Sequence, residues 1–167
     1  MPLSQDRAEF AIVDSDDDIV SLRLDGVEEV VTGRTQMPPD SGLYVTEIFE
    51  GGRVILRDGG APPLWFSLQD GVESARPLPG IGVDDLIEGF AAPPGAPLHT
   101  FALVVKERTE GHLSIVAIND DRSSKTAIQN DAIRHQMIAV GNRYYWVGLR
   151  PLPDGGGETW GLTVESP

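Results

Sequence analysis

The sequence predicts an all-β protein: a β-sandwich of jelly-roll or immunoglobulin-like kind, or a pair of small β domains. Two observations carry that reading. Short apolar or alternating runs recur along the chain, each closed by a Gly, Asp or Pro turn. The 19 glycines and 13 prolines fall at these turn positions rather than in a low-complexity tract. Helix is expected only as one short piece near residues 83–90.

The elements follow in order. Phe10–Val13 and 19–24 read as strands on either side of an acidic turn, with Val20, Leu22 and Leu24 sharing one face. Asp25-Gly26 is a hairpin dipeptide that returns the chain through Val27–Val31. Strands at 43–50 and Arg53–Arg57 flank Gly51-Gly52, and Leu64–Leu68 follows the Asp58-Gly59-Gly60 turn. Between Pro77 and Pro97 the chain is rich in proline and glycine around the expected helix. Asp84 and Asp85 suit its first turn and Gly89 its end. Strands at 98–106 and 112–118 come next, joined through Glu110-Gly111, and Asn119–Lys125 reads as a polar loop. The strongest local signal is the hairpin formed by 133–140, Gly141-Asn142 and 143–149. A glycine-rich loop, Asp154–Gly157, then leads to a last strand at Thr159–Val164.

Domain organisation follows from composition. Residues 1–78 form an acidic β-rich region, 79–97 a linker or crossover, and 98–167 a sandwich-like region, or the whole chain folds as one domain. A chain of 167 residues buries enough surface to fold without staples, in keeping with its lack of cysteine. The N-terminus has no basic and apolar signal-peptide pattern, and runs such as Phe101–Val105 are too short to cross a bilayer. A cytoplasmic or particle-associated location is the expectation.

Charge is distributed unevenly. Residues 1–90 hold 18 acidic and 6 basic side chains, a net of −12, whereas residues 91–167 hold 8 and 7, a net of −1. So negative a field disfavours nucleic-acid backbones and anionic membranes as partners. A protein partner, or a second copy of the chain, is expected instead.

No motif specifies a chemistry. Asp14, Asp16 and Asp18 have the spacing of some calcium loops, but Ile19 stands where an EF-hand needs glycine. An exposed acidic turn without tightly bound metal is expected. No cofactor is expected, and calcium is the one ion the pattern leaves open. Gly80-Ile81-Gly82 opens like a dinucleotide loop, yet Asp85 replaces the third glycine and no βα unit surrounds it. His99, His112 and His135 are scattered; His112 and Ser114 share a strand face without an orienting acid. Asp84 with Glu88, and Asp120-Asp121, are carboxylate pairs whose ordinary place is an exposed turn. The protein is therefore expected not to be an enzyme.

The aromatic group Tyr144, Tyr145, Trp146 and Trp160 is the candidate interaction surface. Alternation sets Tyr144 and Trp146 on one strand face, and Tyr145, Val147 and Leu149 on the other. One set fills the core and leaves the other to meet a partner. Paired aromatics, a glycine-rich loop and Trp160-Gly161-Leu162-Thr163-Val164 together resemble the last hairpin of many β-sandwich modules, a pattern common to unrelated families. The sequence thus points to a non-catalytic structural or interaction protein within a larger assembly, such as a phage particle. An acidic inhibitor or immunity protein capping a basic partner is the alternative, and a carbohydrate-binding sandwich the second.

Overall fold

The computed structural model describes residues 7–13, 18–25, 28–38, 40–49, 51–128 and 134–167. Their regular structure is fourteen strands and a single 3-10 turn at Val72–Ser74, and every strand pairing is antiparallel. The chain divides into two compact units, Met1–Leu78 and Pro79–Pro167. Among the described residues no helix is long and apolar enough to cross a membrane.

The first unit holds two sheets. One is β1 (Arg7–Val13), β2 (Ile19–Asp25) and β3 (Glu28–Thr35), in that order. The other is β4 (Tyr44–Phe49), β5 (Arg53–Arg57), β6 (Leu64–Ser67) and the short β7 (Arg76–Pro77). Ile19, Val54, Leu56, Phe66 and Val72 form its core, so β2 and the second sheet share one apolar interior. The Asp58 turn closes locally: the Asp58 carboxylate accepts the Gly60 and Ala61 N–H groups, each at 2.8 Å.

The second unit also holds two sheets. β8 (Leu86–Ala91), β9 (Thr100–Lys106), β10 (Leu113–Asn119) and β11 (Arg122–Ile128) form one. β12 (Arg134–Val140), β13 (Arg143–Pro151) and β14 (Gly157–Glu165) form the other. β9 is buried from Phe101 to Val105 and β10 from Leu113 to Ile118, on both faces, which is why these two runs lack polar alternation. One core cluster draws Ala91, Ala102, Val104, Leu113, Ile115 and Ala117 from the first sheet and Met137, Tyr144, Trp146 and Val164 from the second.

Three expectations are corrected. The helix near 83–90 is a turn followed by β8. The Asp85 carboxylate accepts the Gly82 N–H at 2.8 Å and closes a loop, after which Ile87–Ala91 pairs with β9 around a bulge before Gly89. An edge position on a four-stranded sheet outweighed the weak helical pattern of a segment this short. The polar stretch expected as a loop at Asn119–Lys125 is mostly β11. Asp120 takes φ 59 in a tight turn, and the strand returns along β10 with its polar side chains largely outward. Finally, neither the jelly-roll nor the immunoglobulin-like strand order is present among the described residues. Both require neighbours that are not consecutive in sequence, and every sheet here runs in chain order.

The 133–140/143–149 hairpin forms as β12 and β13 from Arg134 onward, with Val140 opposite Arg143, and residue 133 lies outside the described residues. Gly141 takes φ 60 at the first central position of its turn, where a side chain would be strained.

Candidate interaction surface

The site is built by the alternation of β13. Tyr144 and Trp146 point inward and are fully buried, at 0% and 1% exposure. Both belong to the core and leave the candidate surface, because a sheet with one covered face buries every second residue. Tyr145, Val147 and Leu149 necessarily point the other way. Register adds the neighbours: Ile138 lies opposite Tyr145, Gln136 opposite Val147 and Arg134 opposite Leu149. On the far side, Thr163, Gly161 and Thr159 of β14 lie opposite the same three residues of β13.

This outward face is apolar to an unusual degree. Ile138, Val140, Val147 and Leu149 are 51%, 57%, 46% and 41% exposed, and half-buried Tyr145 sits among them. Single exposed aliphatics are ordinary, whereas a contiguous set on one sheet face marks a contact surface. Its charged rim is sparse. Arg143 holds Glu165 at 3.1 Å, and hydrogen bonds to Tyr145 and then to Glu165 raise the Arg143 pKa above its ordinary value. Arg134 adds an exposed guanidinium beside Leu149. Gln136, Thr159 and Thr163 supply the uncharged polar groups.

Trp160 is 43% exposed and lies opposite Gly148, on the core-side face with Leu162 and Val164. It is the diagonal neighbour of Trp146, whose direct partner is Leu162. Tyr145 and Trp160 therefore project from opposite faces of one sheet and do not make a common stacking platform.

The other sequence candidates are dispersed. Asp14 and Asp16 lie outside the described residues. Asp18 is buried, not exposed as expected, and its Oδ2 accepts from the Arg34 guanidinium at 3.0 Å. That pair ties the residue before β2 to the end of β3. His135 stacks on Trp146 with ring centroids 6.1 Å apart and meets Glu88 at 3.4 Å, while Lys106 approaches the other oxygen of Glu88 at 3.7 Å. Asp84 is 3.5 Å from Arg108, so Asp84 and Glu88 serve different ion pairs. His99 is half-buried beside β9, and its carbonyl accepts the Asp120 N–H at 3.0 Å. His112 pairs with Glu110 at 3.1 Å in open solvent, whereas Ser114 is buried.

Glu107, Glu110 and His112 bring three donor atoms within 4.8 Å of one another at the β9–β10 turn. Such a set is able in principle to coordinate a divalent ion. The sequence does not single it out, because Glu107 and Glu110 read as ordinary turn carboxylates and His112 is weighed only with the other histidines and with Ser114. Lys125 competes for the site: its ammonium bonds Glu107, and that contact holds the Glu107 carboxyl below its usual range. Glu47 shows the opposite shift, raised by burial against the opposing charge of Arg57.

The chain matches no protein-family model, and no curated protein or solved structure is similar to it. The apolar face of the β12–β13–β14 sheet is thus the feature on which a functional reading turns.

Proposed function

We propose that the protein is a non-catalytic interaction module that works within a larger assembly, a phage-type particle being one setting that suits it. The observation that carries this reading is the set of outward aliphatic side chains, Ile138, Val140, Val147 and Leu149, around Tyr145. A partner that covers this face removes apolar surface from water and meets few charges. The acidic first part of the chain stays in solvent, because desolvating dense carboxylates is costly without matched cations. The finer architecture belongs to the same proposal: the two sheets of the second unit stack as a β-sandwich. In its favour, a single core cluster takes residues from both.

The test is a comparison of two charge variants in binding from the native source. Val147→Lys with Leu149→Lys abolishes capture of the partner, while Asp16→Lys with Asp17→Lys leaves it nearly intact, even at high ionic strength. Asp18 is left unchanged because its loss breaks the pair with Arg34. The reverse outcome, loss on charge reversal with steep salt dependence, replaces this reading with an acidic inhibitor that caps a basic partner.

A further inference from the structure

Among the described residues, β14 is an edge strand of its sheet with no strand paired on its far side. The Ser166 N–H donates to the Asn142 carbonyl at 2.9 Å, next to the Arg143–Glu165 pair. Antiparallel ladders alternate, so Glu158, Trp160, Leu162 and Val164 also turn their backbone groups towards β13. Gly157, Thr159, Gly161, Thr163 and Glu165 then present N–H and C=O to the open side. All five are exposed.

Several other edges among the described residues are defended, although β1 and β12 are, like β14, edge strands in unbroken register. β7 is two residues long and contains Pro77, and β4 and β8 carry bulges. β11 sets Arg122 and Lys125 on its edge. β14 is the longest of these edges: it runs nine residues in unbroken register with β13 and holds neither lysine nor proline. An edge of this kind is a template for a further strand.

The sequence of β14 also says which strand. About Gly161, Thr159 mirrors Thr163 and apolar Trp160 mirrors apolar Leu162, whereas Glu158 mirrors Val164 and Gly157 mirrors Glu165. A two-fold contact needs this sort of self-complementary patch. We propose that a second copy of the chain pairs with this one through β14, antiparallel and centred on Gly161, to form a continuous six-stranded sheet. This register sets every outward-facing backbone group against another. Gly161 meets Gly161, Thr159 meets Thr163, and Gly157 meets Glu165 of the second copy. On the core side, Trp160 covers Leu162 of the second copy and is covered in return. Like charges do not meet: Glu158 lies opposite Val164, and the two glutamates are already held by Arg150 at 3.3 Å and Arg143 at 3.1 Å.

This pairing is independent of what covers the apolar face, and the experiment separates the two. Sedimentation of the full chain over rising concentration shows a monomer–dimer equilibrium. In the dimer the Thr159, Gly161 and Thr163 amides gain protection from hydrogen exchange. Gly161→Lys sets an ammonium against itself at the two-fold, and a Cβ there meets nothing nearer than the Trp146 carbonyl at 3.9 Å. The variant keeps the wild-type circular dichroism and dimerises at least about tenfold more weakly. Thr163→Pro removes an outward N–H without touching the β13 ladder and has the same effect. Val147→Lys leaves the dimer intact. A chain that stays monomeric at every concentration overturns the proposal, and so does a dimer whose β14 amides gain no protection. A dimer lost in Val147→Lys but kept in Gly161→Lys overturns it too, and assigns self-association to the apolar face.

Discussion

Trp146 and Trp160 are two residues of one kind on one sheet face, and burial alone separates their roles. Trp146 is enclosed by the core of the second unit, so Trp146→Ala leaves a cavity and costs about 3–5 kcal/mol in chemical denaturation. Trp160 is already half in water, and Trp160→Ala costs about 1 kcal/mol or less in the same measurement. Equal losses for the two contradict the placement. At Asp58 the scale is again one side chain. Two backbone N–H groups lower its pKa in the folded chain, so its stabilisation is present above the unfolded carboxylate pKa and is lost as pH falls through the folded one. Asp58→Asn keeps an oxygen for the same turn but does not titrate. Melting curves taken from neutral to acid pH therefore fall less steeply for the variant than for the wild type. Parallel curves for the two exclude Asp58 as a contributor.

At the scale of the element, β8 shows how a weak local preference gives way. A Cβ on Gly89 meets the Val104 Cγ2 at 3.0 Å and its Cβ at 3.2 Å, beside the bulge that lets β8 follow β9. Gly89→Ala overpacks that contact and costs about 1–3 kcal/mol, read from the denaturant midpoint. A neutral Gly89→Ala means the strand has room to shift. The same glycine had looked like the end of a helix, because a sequence does not display the neighbouring strand that claims it. Hairpins were legible for the opposite reason: their partners are adjacent and their turns carry glycine, as in 134–140 and 143–151 around Gly141. β11 was hidden because an edge strand of Arg, Ser, Lys and Thr has too little apolar contrast to read. For the candidate surface, β13 gave the alternation of Tyr144 to Leu149 unaided. Ile138 and Val140 stayed unassigned until register set them beside Tyr145 and Arg143, since both faces of β12 carry apolar residues.

For the whole molecule, the electrostatic imbalance and the apolar face favour the same proposal, a contact placed where charge is sparse. Cation binding gives a global check on the acidic groups. Calcium or zinc followed by excess EDTA leaves the melting temperature within about 1 °C, since only a ligand bound to the folded state shifts it. A fall of several degrees on chelation places an ion, with Glu107, Glu110 and His112 the first residues to mutate. One further consequence rests on the chain-order sheets. Among the described residues each strand bonds only to the strand just before or after it, so no described sheet waits for a distant segment of polypeptide. The entropy of closing long loops is therefore small within every sheet, and folding is fast for a protein whose regular structure is almost wholly strand. During synthesis each sheet is able to complete itself once its own last strand has emerged, so apolar strands such as β9 and β10 spend little time as bait for aggregation.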